Sequence, residues 1–260
     1  MNFWDVAVLS VIQGIAEFLP VSSSGHLVLA GHWLGIEEAN GTLNIMLHAG
    51  TLFSILVFYF QRILRLLHED RRVIVLLIVG TLPGALLGFL VKKYSAQSLE
   101  NPWLASWMLI VTGGILLASR RITRENPIDY QQSSWVTALM IGMAQAFAIL
   151  PGVSRSGSTI FMGLLLGLKR EAAGTFSFLM AIPIIAGATA YEIFTLSREG
   201  AGPAHSPWLL SIGVLLSFGV GYVSLCWLVS FIQKGRFHLF AWWCIPFGIL
   251  SLLLLFFQQP

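Results

Sequence analysis

The fold is decided by two short stretches that interrupt apolar sequence with proline, glycine and serine: EFLPVSSSGH at residues 17–26 and PGVSRSGST at residues 151–159. They divide the apolar regions 4–36 and 134–168 into arms of about 13–16 residues, and crossing a hydrocarbon core takes about 20. Each region is therefore predicted to be a re-entrant hairpin. Because non-helical backbone at membrane depth persists only where protein or a wet cavity surrounds it, both tips are expected inside the protein.

The composition places the chain in a bilayer. Hydrophobic residues make up 56% of it and charged residues 10%, and the mean hydropathy is +0.79. A soluble domain is roughly 25% charged, so a soluble enzyme, a disordered chain and a nucleic-acid-binding domain are excluded. We expect membrane lipids around the protein and no nucleic-acid partner. Six apolar runs are long enough to span the membrane: 43–61, 73–92, 103–119, 174–196, 207–233 and 239–257.

The two interrupted regions repeat one pattern. A shift of 132 positions aligns, among others, Gln13 with Gln145, Ala16 with Ala148, Val21 with Val153, Ser22 with Ser154, Ser24 with Ser156 and Gly25 with Gly157. We predict one membrane domain over residues 1–260, with repeat 1 at about 1–120 and repeat 2 at about 133–260. The predicted fold class is an all-α integral membrane protein with two inverted-topology repeats, each a re-entrant helix-loop-helix hairpin plus three transmembrane helices. In such architectures the broken helices mark the binding site.

The basic residues test this topology independently. If each hairpin returns to the side from which it enters, eleven Lys and Arg residues fall on one side, in the loops 62–72, 119–133, 169–173 and 234–238. The other side holds three, Lys92, Lys93 and Arg198. Loops rich in Lys and Arg stay in the cytoplasm, so we predict that both termini of this multi-pass protein lie outside it.

Arg155 is the candidate phosphate-binding residue. It follows a Pro-Gly turn and precedes an apolar arm, so it is expected at a helix N-terminus, where free N–H groups and the helix dipole favour an anion. Its planar guanidinium suits two phosphate oxygens. Thr159 lies four residues later on the same helical face and is expected to donate another hydrogen bond. The alternative is an ion pair of Arg155 with Glu17 that serves structure alone.

Glu17 and Gln13 are candidate ligands for a divalent cation. They are four residues apart and share one face of the first arm. Magnesium is often bound by one or two carboxylates together with substrate phosphates. Only one of the two side chains is a carboxylate, so substrate oxygens would have to complete the coordination.

Ser23 and His26 are a candidate nucleophile and base. They are three residues apart, which places an imidazole within reach of a hydroxyl if the second arm begins there. A lone histidine in a membrane is otherwise as well explained by a structural hydrogen bond. His48 is interpreted mainly in that way, and His32, His68, His205 and His238 are expected to have no chemical role. Cys226 and Cys244 lie inside apolar runs and are expected to be buried filler.

These residues give the sequence its resemblance to the undecaprenyl-diphosphatase, or bacitracin-resistance protein, family. One family signature, Glu/Gln-x-x-x-Glu running into Phe-Leu-Pro-Val-Ser-Ser, is found at residues 13–23. The other, Pro-Gly-x-Ser-Arg-Ser-x-x-Thr, is found at residues 151–159. The resemblance covers essentially the whole chain, and both signatures are long and correctly spaced.

The resemblance implies hydrolysis of a polyprenyl diphosphate lipid, undecaprenyl diphosphate, to the monophosphate and inorganic phosphate. This recycles the lipid carrier of peptidoglycan synthesis and confers bacitracin resistance. The resemblance also implies a divalent cation, Mg²⁺ or Ca²⁺, and a site in the bacterial cytoplasmic (inner) membrane that opens to the periplasm. The oligomeric state is open, a homodimer being one form that the sequence allows.

The implied site residues lie in the two signatures. The family's acidic pair falls on Gln13 and Glu17, its serine nucleophile on Ser23, its histidine on His26 and its arginine motif on Ser154, Arg155 and Thr159. We also expect the neighbouring Ser22, Gly25, Ser156 and Gly157 to bind substrate. Many family members have Glu where this chain has Gln13, and many have Gln where it has His48.

Two other functions compete with this interpretation. The integral phosphatases of the phosphatidic-acid type share short Ser-Gly-His and Ser-Arg elements, but they need an Arg-Pro dipeptide that this sequence lacks. A lipid-phosphate flippase or transporter, alone or in addition to hydrolysis, is compatible with inverted repeats and broken helices. It would leave the grouping of Ser23, His26 and Glu17 without a purpose.

Overall fold

The structure, a computed structural model, describes residues 2–35, 42–95, 99–123, 125–199 and 206–258, without the side chains at 92, 192, 196, 197 and 199, and most of these residues are helical. The helices are α1 Phe3–Phe18, α2 Ser23–Leu34, α3 Thr42–Phe58, α4 Phe60–His68, α5 Arg71–Ser95, α6 Pro102–Ser119, α7 Trp135–Phe147, α8 Arg155–Leu165, α9 Arg170–Glu199, α10 Pro207–Gln233 and α11 Ala241–Phe257. Short 3₁₀ turns precede α7 and α11. The predicted all-α membrane class is confirmed.

The predicted spans correspond to long apolar helices. Five described segments are long and apolar enough to cross a membrane: α5, α6, α9, α10, and α11 together with the turn before it. A sixth candidate span is the pair of α3 and α4, which passes the same test together and is bent by 69°. The run predicted at 43–61 is therefore not one straight helix. Its apolar part ends at Phe58, and α4 carries Arg62, Arg65 and His68, charged and polar side chains that favour a polar boundary over the hydrocarbon core.

Each interrupted region forms a hairpin of two helices joined by a short break, and the same cap begins the second arm of each; the re-entry of these hairpins into the membrane stays a prediction. The first consists of α1 and α2, and the Ser22 hydroxyl accepts a hydrogen bond from the Gly25 N–H at 3.2 Å. The second consists of α7 and α8, and the Ser154 hydroxyl accepts from the Gly157 N–H at 3.0 Å. A serine at the N-cap satisfies one of the free N–H groups of the first turn. The serine–glycine spacing seen in the sequence thus forms the start of each arm.

The hairpin tips touch each other. A Cβ added to Gly25 would lie 2.7 Å from the Cα of Gly152, so only glycine permits this approach. A Cβ added to Gly157 would lie 3.4 Å from the Cβ of Pro20. The two contacts are equivalent in the repeat, because adding 132 to 25 gives 157 and subtracting 132 from 152 gives 20. The non-helical backbone of each tip is therefore covered by the other hairpin.

The packing of the helices is also equivalent in the two halves. The first arm α1 packs against α10, and the corresponding arm α7 packs against α5. The equivalent helices α3 and α9 contact each other, as do α6 and α11. A two-fold relation between the halves produces this pattern. The single domain of two inverted repeats stays a prediction, which these contacts favour.

The basic loops gather at one end of the helices. Arg72 donates to two carbonyl oxygens of the segment before α7, both at 2.7 Å. The backbone of Ile128 pairs with that of Lys169 at 2.9 Å, and Gly235 lies against the guanidinium of Arg170. The grouping of loops assumed in the charge count is thus found in the described residues. Arg124 and His205 lie outside them.

We predict that this basic end faces the cytoplasm. In a cysteine-free background, single cysteines at the exposed positions Asn2 and Asn101 should react with a membrane-impermeant thiol reagent in intact cells. Cysteines at the exposed positions Glu125 and Arg236 should react only after the membrane is permeabilised. Reaction of the second pair and protection of the first in intact cells would reverse the assigned orientation.

Candidate active site

A cavity of about 220 Å³ lies where the two hairpin tips meet α3, α5 and α9. Both hairpins contribute polar side chains to its wall, and the neighbouring helices contribute mostly apolar ones. The residues that bear on its chemistry are Glu17, Ser23, His48, Gln145, Arg155 and Ile184. The two sequence motifs, at residues 17–26 and 151–159, thus line the same cavity.

Glu17 is the centre of the polar wall. Its carboxylate is buried and accepts three hydrogen bonds, one from the Ser23 hydroxyl at 2.8 Å and one from the Gln13 amide nitrogen at 3.1 Å, both to Oε2. Oε1 accepts the third, from Nη2 of Arg155 at 3.0 Å. This last contact is a buried ion pair between the hairpins. It joins the candidate nucleophile and the candidate anion-binding group to one carboxylate.

Arg155 begins α8, and Thr112 of α6 holds the backbone that places it there. The Thr112 hydroxyl donates to the carbonyl oxygen of Gly152 at 2.7 Å and accepts from the N–H of Ser154 at 3.0 Å. Gly152 has a φ of 92°, which side-chain-bearing residues rarely adopt. Sequence reasoning did not identify Thr112, because the contact joins segments 40 residues apart.

The first hairpin tip is held by the equivalent contact. The Cys244 thiol of α11 lies 3.6 Å from the carbonyl oxygen of Pro20 and donates to it. Adding 132 to Thr112 gives position 244, and adding 132 to Pro20 gives position 152. Cys244 is buried as expected, but it is the counterpart of Thr112 rather than mere filler.

Ser22 and Ser23 form the start of α2. Ser22 has a φ of 70°, the one positive value found for a non-glycine residue in the described chain. Strained backbone of this kind persists only where surrounding structure enforces it, and it is common at functional sites. Here it turns the chain so that Ser23, the first residue of α2, lies beside Glu17.

His26 does not contact Ser23, contrary to the expected pairing. Its Nδ1 lies 2.8 Å from the carbonyl oxygen of Ser22, and its Nε2 accepts from the indole N–H of Trp243 at 3.0 Å. Its ring stacks on Phe247, with centroids 4.6 Å apart. Both nitrogens are therefore occupied by structural contacts, and the oxygen that receives the Ser23 hydrogen bond belongs to Glu17.

His48 is the histidine that faces the cavity. Its Nδ1 lies 2.9 Å from the carbonyl oxygen of Asn44, so this nitrogen carries the proton and donates. Its Nε2 is thereby directed towards Glu17 and lies 3.7 Å from Oε2. We interpreted His48 mainly as a helix contact, and its place beside Glu17 depends on packing that the sequence pattern does not show.

Some of the remaining predicted site residues line the cavity, and the others lie behind its lining. Ser22 and Ser154 line the cavity. Thr159 points elsewhere: its hydroxyl donates to the carbonyl oxygen of Arg155 at 2.7 Å and lies 2.6 Å from the Ser177 hydroxyl. Residues outside the cavity lining that support its wall are Gln13, Gly25, His26, Ser156, Gly157 and Thr159.

The described residues do not form a cation site by themselves. Among them no three His, Cys, Asp or Glu side chains group together as metal ligands. Glu17 is the one carboxylate in the cavity wall, and its oxygens already face Arg155, Ser23 and Gln13. Gln13 directs its amide nitrogen, not its oxygen, towards Glu17. A cation would need further oxygen ligands from outside the protein.

Comparison with known proteins gives a consistent result over the whole chain. The family model described as "Bacitracin resistance protein BacA" matches residues 6–250. The "Undecaprenyl-diphosphatase" of Rhodopirellula baltica is 51% identical over 96% of both chains. Proteins of the same name from Corynebacterium glutamicum and Halothermothrix orenii are 36% and 35% identical, covering 95% and 98% of this chain and 89% and 98% of their own.

We predict that Thr112→Val destabilises the second tip. Valine keeps the shape of threonine but leaves the Gly152 carbonyl oxygen and the Ser154 N–H without their partner, at a cost of about 2 kcal/mol. Thermal unfolding in detergent should show a lower midpoint. Cys244→Val is the matched control at the equivalent position and should cost less, because it removes one weak thiol bond. Equal effects would show that the two hydrogen bonds of Thr112 do not stabilise the tip.

Proposed function

The chain belongs to the bacitracin resistance protein BacA family, and we propose that it hydrolyses undecaprenyl diphosphate to undecaprenyl phosphate and inorganic phosphate. One observation carries this proposal: a hydroxyl, a carboxylate and a guanidinium meet in a cavity flanked by apolar helices. The product is the carrier lipid of peptidoglycan synthesis. Hydrolysis of undecaprenyl diphosphate to this product accounts for bacitracin resistance, the property for which the family is named.

Anion binding is the task of Arg155. Its Nη2 is engaged with Glu17, whereas Nη1 is buried and has no hydrogen-bond partner among the described residues. A phosphate oxygen in the cavity can accept from Nη1 without breaking the ion pair. The N-terminus of α8 adds the positive end of a helix dipole at the same place. These groups offset the charge that a diphosphate brings into a poorly solvated site.

The nucleophile in this proposal is the Ser23 hydroxyl, with Glu17 as its base. Ser23 Oγ attacks the terminal phosphorus while its proton moves to Glu17 along the 2.8 Å hydrogen bond. The bond from phosphorus to the bridging oxygen breaks, and the lipid monophosphate leaves with that oxygen. Water then hydrolyses the phosphoserine. Direct attack by water, with Glu17 as base, gives the same products without a covalent intermediate.

His48 supports Glu17 in holding this proton. Its Nε2 lies 3.7 Å from Oε2 of Glu17, the oxygen that accepts from Ser23. His26 keeps a positioning role, because it ties Ser22, the residue before the nucleophile, to Trp243 of α11. Glu17, supported by His48, is therefore the proposed base for Ser23 in place of His26.

A divalent cation, Mg²⁺ or Ca²⁺, is proposed to enter with the substrate. Diphosphate oxygens would supply most of its ligands, and Glu17 is the one protein carboxylate placed to join them. Such a cation would offset part of the phosphate charge. The residues of the chain hold the diphosphate in place, and the apolar helices lie around it.

The site is proposed to lie in the bacterial inner membrane and to open towards the periplasm. One observation supports this placement: the basic loops lie together at one end. In the predicted topology, the first hairpin, with Glu17 and Ser23, enters from the opposite end. A diphosphate released on the outer leaflet after cell-wall polymerisation would reach the cavity from that end.

Purified protein in detergent should release inorganic phosphate from undecaprenyl diphosphate. There is no membrane to cross in this assay, so turnover separates hydrolysis from transport. Ser23→Ala should lower kcat by roughly 10³-fold or more, while Ser211→Ala, an exposed serine on α10, should not change it. Absence of phosphate release by the unaltered protein would refute the proposed activity.

Arg155→Lys should lose most activity while the protein stays folded. Lysine keeps the positive charge but cannot engage Glu17 and a phosphate oxygen through two fixed N–H groups. We expect kcat/KM to fall roughly 100-fold and the thermal unfolding midpoint to remain close to that of the unaltered protein. Arg236→Lys, at an exposed loop position, serves as the control. Near-normal turnover of Arg155→Lys would show that charge alone suffices.

A further inference from the structure

Gln145 is a buried polar residue without a partner. Its side chain is 3% exposed and lies in the wall of the cavity that holds Glu17 and Arg155. Neither its amide oxygen nor its amide nitrogen has a hydrogen-bond partner among the described residues. Burying an amide with neither atom paired is unfavourable. Such an amide is expected only where something absent from the chain itself pairs with it.

The equivalent glutamine of the first half, Gln13, is paired differently from Gln145. Gln145 is the counterpart of Gln13 at the 132-residue offset, and Gln13 donates its amide hydrogen to Glu17 at 3.1 Å. The residue at the position equivalent to Glu17 is Ile149, which can accept nothing. The amide nitrogen of Gln13 therefore has a partner one helical turn away, although its oxygen has none among the described residues, whereas both amide atoms of Gln145 lack one. Positioning of a neighbouring carboxylate explains Gln13 but not Gln145.

The surroundings of Gln145 indicate what pairs with it. A Cβ added to Gly84 of α5 would lie 3.4 Å from Cγ and Nε2 of Gln145 and 3.7 Å from Cδ1 of Ile184. Gln145 thus lies near the apolar residues that α5 and α9 contribute to the cavity, whose wall also includes Arg155. The unpartnered Nη1 of Arg155 and the amide nitrogen of Gln145 are both donors. Two free donors around one cavity suit an anion.

We infer that Gln145 is a substrate-binding residue that donates a hydrogen bond to the phosphate nearer the lipid. The inference rests on the proposed function, since it assigns one phosphate of the diphosphate to this amide. The terminal phosphate lies by Ser23, and the apolar side of the cavity receives the start of the polyprenyl chain. The phosphate between them lies beside Gln145. Its amide then offsets part of the negative charge of that phosphate in the bound substrate.

The test combines kinetics with ligand-induced stabilisation. Gln145→Met keeps the length of the side chain and removes its hydrogen-bonding groups, and Gln145→Glu keeps its shape and adds negative charge. Met143→Leu, on the exposed side of the same helix, is the control. For each variant, kcat and KM for undecaprenyl diphosphate are measured in detergent, together with the thermal unfolding midpoint with and without inorganic pyrophosphate.

We expect Gln145→Met to raise KM roughly 10- to 100-fold and to reduce the rise in unfolding midpoint that pyrophosphate causes. Without ligand, its midpoint should equal or exceed that of the unaltered protein, because an unpaired buried amide has been removed. Gln145→Glu should raise KM further through repulsion between like charges. Met143→Leu should change none of these values.

Three results would count against the inference. Unchanged KM and an unchanged pyrophosphate effect in Gln145→Met would show that the amide does not bind substrate. A lowered midpoint without ligand, with kcat and KM affected alike, would make Gln145 structural. Increased affinity for pyrophosphate in Gln145→Glu would exclude an anion contact. By contrast, an unaltered protein that binds pyrophosphate but releases no phosphate would refute the proposed function and leave the binding role intact.

Discussion

The structure depends on one constraint: backbone that is not helical within the membrane must find its hydrogen bonds and its cover inside the protein. Each hairpin tip meets this requirement through the other hairpin and through one helix of the other half. Gly25 packs on Gly152, and Thr112 and Cys244 each donate to the carbonyl oxygen of the opposite tip. The break in each apolar segment is thus possible only because the second break lies against it.

The same contact assembles the site. The two tips bring a glutamate from one half against an arginine from the other, in a cavity that both halves line. A buried charge without a partner is strongly unfavourable, so Glu17 and Arg155 stabilise each other before any substrate arrives. The two halves differ at these positions. Adding 132 to Ser23 gives Arg155, so a nucleophile in one tip corresponds to a cation in the other.

Much of the fold follows from local sequence, and the site follows only in part. Spans, breaks and caps depend on apolar length and on serine and glycine spacing, and α10 has the predicted bounds, 207–233. The signatures also indicate that Glu17, Ser23 and Arg155 belong together. Which side chain faces which partner depends on distant packing. His26 is turned away by Trp243, 217 residues later.

The central claim is that Glu17 and Arg155 act as one unit across the hairpin contact. A double-mutant cycle in kcat/KM tests it most directly, with Glu17→Gln, Arg155→Gln and the variant that carries both changes. Residues that act as a unit are strongly non-additive, so the double variant should lose little more activity than either single one. Losses that multiply to give the activity of the double variant would show that the two residues act independently.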